Sequence, residues 1–208
     1  DKHHNLKYTA KQLIFHAANK GYDVLAITNH EHVYYSKELF DYAKKYNILL
    51  ISGVERFIEG SEVLILNINS DEASKLNTFN DLKVLKAKKD VLIIAPHPFF
   101  ITKQCLGNKL EENIDVFDAI EYSHFYTNLI NLNKKAVRLA KKYNKVIIGN
   151  SDAHSLETLE LTYSLIDSKK DIKSIFKAIR KNKVKLKTRV PSISYLFRKT
   201  FKVLFGME

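Results

Sequence analysis

Residues 147–155, IIGNSDAHS, join an apolar run to an aspartate and a histidine two positions apart. The run KVIIG (145–149) is short, β-branched and closed by glycine, the pattern of a buried strand. Side chains alternate along an extended segment, so Asp152 and His154 fall on the same side of it. Working outward, the same junction recurs. DVLAIT (23–28) leads into NHEH, ILLISG (48–53) into VE, VLIIAP (91–96) into HP, and FDAIEYS (117–123) into a histidine. Each apolar run ends within a few residues on His30, Glu55, His97, His124, or Asp152 with His154.

Between these runs the period changes to that of helices. Thr9 is placed to cap a helix running through Lys20, and Ser36 to cap KELFDYAKKYN. Helical spacing also covers 72–89 with a break near 77–80, then 127–143 and 170–182. EVLILN (62–67), LTYSLID (161–167) and KVKLK (183–187) read as further strands, and no repeat, low-complexity tract or linker interrupts them. Strands apolar on both sides, alternating with helices, predict a parallel sheet covered by helices. A barrel and a doubly wound sheet both fit. In either, loops at the carboxyl ends of the strands converge, so a parallel sheet would aim all six side chains into one crevice. Imidazoles and carboxylates together are the usual ligands of zinc, manganese or iron. Pro96 and Pro98 fix the backbone around His97. Of the other histidines, His3 and His4 sit in a polar start and His16 within a helix, while His32 is close enough to His30 to line the same site.

The 208 residues suffice for one domain, expected over 1–190, with a separate basic amphipathic helix over 191–208. No apolar run reaches the ~18 residues of a membrane-spanning helix, and the start does not read as a signal peptide. One cysteine, Cys105, excludes an internal disulfide framework and fits a reducing compartment, with the cytoplasm as the expected location. The net charge of +11 is concentrated at one end: from Lys169 onward there are thirteen Lys or Arg against two acids, and the rest of the chain is neutral. In PSISYLFRKTFKVLFG, Ile193, Leu196, Phe197, Phe201, Leu204 and Phe205 form an apolar stripe. Docking on the main domain, lying on a membrane surface, and contacting nucleic acid are the three readings of this tail.

ITNH, GVE, APHP and GNSDAH, in this order, resemble the polymerase-and-histidinol-phosphatase (PHP) domain family across about residues 1–167. The resemblance implies a distorted seven-stranded β/α barrel, TIM-like, with two or three divalent metals (Zn, Mn or Fe) at its carboxyl-end mouth and phosphoester hydrolysis as the activity. It implies His30, Glu55, His97, Asp152 and His154 as ligands, with Glu55 a bridge between metals. His124 stands where members carry a less regular ligand, and Asp1 where they carry the aspartate of a turn. Two departures accompany it. Asn29 replaces the acid of the usual TDH, and no His-x-His precedes Asp1. The expectation is therefore that native sequence lies upstream, and that the first strand with two ligands is missing from this chain.

On that resemblance the expected function is metal-dependent hydrolysis of a small phosphorylated metabolite or nucleotide. His32 or His97 would protonate the leaving oxygen, and Lys103 would pair with a substrate phosphate. Two other readings remain: a catalytically inactive PHP-like scaffold, and a nucleic-acid-binding protein or nuclease that uses the basic tail.

Overall fold

A computed structural model describes residue 6 and residues 8–191. Asp1, His3, His4 and all of the expected terminal helix beyond Pro191 lie outside the described residues. The chain runs α1 (Ala10–Asn19), β1 (Val24–Ile27), α2 (Lys37–Lys45), β2 (Leu49–Ile58), β3 (Ser61–Leu66), α3 (Ser70–Ala73), α4 (Phe79–Lys88), β4 (Leu92–Ala95) and α5 (Lys109–Glu112). It continues with β5 (Ala119–Tyr122), α6 (Asn133–Lys142), β6 (Val146–Gly149), β7 (Thr162–Ile166), α7 (Ile172–Arg180) and β8 (Val184–Thr188). Side chains set several starts: Thr9 with Gln12 and Thr78 with Asp81 form reciprocal capping boxes, and Ser36 and Asp171 cap α2 and α7. The break expected near 77–80 is the Thr78 cap that separates α3 from α4.

β1 to β6 form one curled sheet in sequence order, a half-barrel, and β7 and β8 form a separate antiparallel pair. The sheet is not all parallel, as the alternation of strands and helices predicts. β1–β2, β4–β5 and β5–β6 are parallel, but β3 runs antiparallel to both of its neighbours. The cause is local. Glu59 and Gly60 have φ of 49° and 79°, the pair of positive angles that a tight hairpin turn needs, so β2 doubles straight back into β3 without a helix between. β2 thereby extends to Ile58, and Glu55 lies inside a strand rather than at its end.

α6 also starts later than its periodicity predicts. Thr127 Oγ1 accepts hydrogen bonds from the backbone N–H of Leu129 and Ile130, closing a turn over 127–130. The Asn133 amide then exchanges two hydrogen bonds with the Ser123 backbone, each of 2.9 Å, so the helix begins only there.

Each strand divides its side chains between two cores. Outward-facing Val63, Ile65, Ile93, Ala95 and Ile120 pack against Phe79 and Leu82 of α4 and Ala136, Leu139 and Ala140 of α6. Leu25, Ile27 and Leu50 pack against α1 and α2. Inward-facing Ile51, Leu64, Leu92, Ile94, Ala119 and Ile148 close on Ile175, Phe176 and Ile179 of α7, which fills the concave side. Burying one such side chain stabilises the fold by about 1.5–3 kcal/mol. Arg180 fixes the end of α7 through Asp118 (3.1 Å), Asp90 (2.6 Å) and the Val91 carbonyl (2.6 Å). β7 approaches β6 so closely that a Cβ on Gly149 would lie 2.9 Å from the Tyr163 carbonyl, which leaves room only for glycine.

Between β1 and the β6–β7 side the half-barrel opens into a cavity of about 1340 Å³, lined by consecutive residues of 21–30 and 162–166. No helix among the described residues is long and apolar enough to cross a membrane.

Candidate metal centre

Inward-facing positions recur every second residue, and at the carboxyl end of the half-barrel they turn polar. On β2 the face that carries Ile51 continues to Glu55; on β3 the face of Leu64 and Leu66 carries Glu62; on β5 the face of Ala119 carries Glu121. All three glutamates are buried. β1 carries on past Ile27 to rejoin β2, with a parallel bridge between His30 and Glu55 and hydrogen bonds from Glu31 N to Glu55 O (2.8 Å) and from Glu55 N to Asn29 O (3.1 Å). Glu31, at φ 58°, turns the chain there; its carboxylate accepts from Phe57 N (2.6 Å) and pairs with Arg56.

The outcome is a four-residue cluster. His30 Nε2 lies 3.4 Å from Glu55 Oε2 and 3.9 Å from Glu62 Oε1, and His97 Nε2 lies 3.5 Å from Glu55 Oε1 and 3.8 Å from Glu62 Oε2. Each carboxylate thus offers one oxygen to each imidazole. Ligand atoms of Glu55, Glu62 and His97 all lie within 4.8 Å of one another, close enough to share one ion. His97 reaches this position with φ at 23°, a region that side chains avoid unless the surroundings impose it. Its other ring nitrogen, Nδ1, meets Cys105 Sγ at 3.6 Å, and Cys105 Sγ meets Thr102 Oγ1 at 3.1 Å.

On the β6 side, Asp152 also has positive φ, 41°. His154 Nδ1 lies 3.5 Å from Asp152 Oδ1, and the His154 ring is 6.4 Å from that of His30. Tyr8 holds this loop by donating to the Ala153 carbonyl at 2.5 Å. His30, Glu55, His97, Asp152 and His154 therefore border one cavity, and exposed His32 stands at its rim. His124 is fully buried against Phe125 (ring centroids 4.1 Å apart) and lies outside the cavity wall. Lys103 is exposed on the loop after β4, also outside that wall.

The electrostatics are those of crowded carboxylates. Burial first, and Glu55 second, raise the Glu62 carboxyl above its usual value, while His97 and His30 oppose them. Burial pushes Glu121 up to about 8; the His97 charge works against this and Asp152 adds to it. Burial works against charging His97, but its contacts with Cys105 and Glu55 and the fields of Glu121 and Asp152 hold it well above 6.5. Such a site stores negative charge that a cation would relieve.

Glu62, Glu121 and Cys105 are not identified by reading the ends of apolar runs. The first two carry a usable signal: each is in phase with the inward apolar residues of its own strand, Glu62 with Leu64 and Glu121 with Ala119. Cys105 carries none, because its partner is chosen by the fold of the loop.

Comparison with known proteins bears on the same region. A family described as PHP-associated matches residues 131–184, which hold α6, β6, the Asp152–His154 loop, β7 and α7. An uncharacterized protein of Methanocaldococcus jannaschii is 28% identical over 130 residues, covering 61% of this chain and 75% of its own length. Among solved structures, a two-domain protein from Bacteroides vulgatus containing a predicted PHP-like metal-dependent phosphoesterase is similar with a TM-score of 0.66 and 18% identity. That match covers 88% of this chain but only 61% of the Bacteroides protein. PsfC from Pseudomonas syringae is similar with a TM-score of 0.63 and 14% identity, covering 92% of this chain and 89% of that one. At these identities the two structures share the fold.

Proposed function

We propose, from the PHP-associated segment matched over residues 131–184 and the fold shared with a PHP-like structure, that the chain is a PHP-domain protein and a metal-dependent phosphoesterase acting on a small phosphorylated metabolite or nucleotide. One observation carries the reading: two buried carboxylates and two imidazoles converge, with Asp152 and His154 on the same cavity wall.

The donor set fits divalent metal. Hard carboxylate oxygens beside imidazole nitrogens suit zinc, manganese or iron, whose binding would displace the His97 proton. His30, Glu55, Glu62 and His97 would hold one ion, and Asp152 and His154 would contribute to holding a second. A cation bound there supplies Lewis acidity toward a phosphoryl oxygen and lowers the pKa of water. The protein's own part is positional. Cys105 orients His97 by its Nδ1, leaving Nε2 for the glutamates. Tyr8 and the strained backbone of Asp152 set the loop that closes the site. His32, exposed at the rim, is the group that would hand a proton to the leaving oxygen, since His97 is engaged at both ring nitrogens.

The test is metal content by mass spectrometry on the purified chain, together with turnover on a panel of phosphomonoesters before and after loading with Mn²⁺ or Zn²⁺. Bound divalent metal and metal-dependent turnover are expected. Asp152→Asn should lower turnover by at least about 100-fold, the scale of losing one group that acts in the transition state. Bound metal without turnover on any phosphoester would turn the assignment toward an inactive scaffold. Full activity in Asp152→Asn would remove that residue from the site.

A further inference from the structure

We propose that Glu121 is an additional cation-holding carboxylate of this centre, outside the motif residues, and that its ligand is a divalent ion with a preference for oxygen, such as Mn²⁺. The proposal rests on the metal-dependent reading above and extends its ligand set.

Four observations carry it. Glu121 lies on the inward face of β5, beside β4, whose end carries His97, in the polar row begun by Glu55 on β2 and Glu62 on β3. It is 1% exposed and lines the same cavity as Glu55, His97 and Asp152. Its Oε2 accepts a hydrogen bond from Asn150 Nδ2 at 3.2 Å, which fixes the orientation of the carboxyl group. Its Oε1 has no hydrogen-bond partner among the described residues. A buried carboxyl oxygen without a partner costs free energy, and native sites rarely leave one so. Something must meet it from the cavity. With Glu55 and Asp152 on the same cavity wall, an anion is repelled and a cation is drawn in. Carboxylate oxygens select hard divalent ions. Asn150 belongs to the segment that ends in Asp152 and His154, so the hydrogen bond also ties Glu121 to the loop bearing the β6-side ligands.

The experiment is calorimetric titration of Mn²⁺ into the whole chain, first stripped with chelator, for the wild type and for Glu121→Gln. Glutamine keeps the shape and an oxygen for Asn150 but removes the charge. The variant is expected to bind one Mn²⁺ fewer, or to bind with at least ~10-fold weaker affinity. Identical stoichiometry and affinity would overturn the assignment of Glu121 while leaving the metal-dependent reading intact. A wild type that binds no Mn²⁺ would sink that reading, and the proposal with it. Should Glu121→Gln fail to fold, carbon NMR of glutamate carboxyls in the wild type decides the matter during a Zn²⁺ titration. Shifts in the signals of three buried glutamates support the proposal, and shifts in two overturn it.

Discussion

The inward face of the half-barrel carries two rows of side chains, one within the strands and one in or just past them at the carboxyl end of the half-barrel. The lower row, Ile51, Leu64, Ile94, Ala119 and Ile148, packs on Phe176. In the upper row Glu55, His97, Glu121 and Asn150 border the cavity, and Glu62 stands beside them with its carboxylate 3.9 Å from His30 Nε2 and 3.8 Å from His97 Nε2. The two rows continue one another along the sheet, and they differ chiefly in their side chains. The lower row gains free energy by leaving water. The upper row buries three glutamates beside the His97 imidazole, and burying such ionisable groups costs free energy. One row keeps the sheet curled, and the other uses the curl.

The sharpest way to break this contrast is from below. Phe176 is fully buried among the inward residues of five strands. Phe176→Ala should cost about 3–5 kcal/mol of stability, from lost burial and the cavity left behind. Denaturant unfolding would measure it. Metal affinity of the fraction that remains folded should stay close to wild type. A large loss of affinity at native stability would mean that the two rows are not separable.

The second test sharpens the comparison through pH. In the folded, metal-free chain Glu121 keeps its proton up to about 8, whereas unfolded it releases it near 4.5. Between those values the folded state binds more protons, so stability must fall as pH rises. The share of one such group is about 1.4 kcal/mol for each pH unit in the window. His97 acts with the same sign: its raised pKa stabilises the fold below 6.5, and that contribution is lost as pH climbs above. The unfolding free energy of chelator-treated protein should therefore decline from pH 5 to 8, and in Glu121→Gln the decline should be shallower. A flat profile in the wild type would show that the upper row is hydrated rather than buried.

How much of this was legible in the sequence follows from the same two rows. Alternation of apolar and helical stretches is a short-range signal, and β1, β2, β4, β5 and β6 all stand where their apolar runs are. The direction of β3 was not legible as parallel or antiparallel from hydrophobicity; it depends on the Glu59–Gly60 turn, a two-residue cue. At the site, His30, His97, Asp152 and His154 were visible because they follow apolar runs, where a charged residue is conspicuous. Glu55 was read as the end of a strand, and the structure puts it inside one. Glu62 and Glu121 lie within runs that read as buried strands, so their charge was absorbed into the pattern. His124 follows an apolar run as the others do, yet it packs on Phe125 outside the cavity wall. The position after a strand does not settle which way a side chain turns.

The smallest effect concerns how the upper row is held rather than what it is made of. His97 needs its Nε2 aimed at Glu55 and Glu62, and its backbone, at φ 23°, does not supply that aim cheaply. The restraint comes from Nδ1, 3.6 Å from Cys105 Sγ, itself 3.1 Å from Thr102 Oγ1. Partners of this kind fix the tautomer and ring orientation of a ligating histidine, and removing one typically costs 10–100-fold in metal affinity. Because sulfur is a weak acceptor, Cys105→Ala is expected at the low end, roughly 10-fold or about 1.4 kcal/mol. Cys105→Ser, which retains an acceptor for Nδ1–H, should recover most of the loss. In the metal-loaded protein, nitrogen NMR of the His97 ring reads the tautomer directly: protonated Nδ1 in the wild type and in Cys105→Ser, a mixture in Cys105→Ala. If alanine left both the affinity and the tautomer unchanged, the strained backbone alone would be holding His97, and the row would be fixed by its main chain just as the apolar row beneath it is.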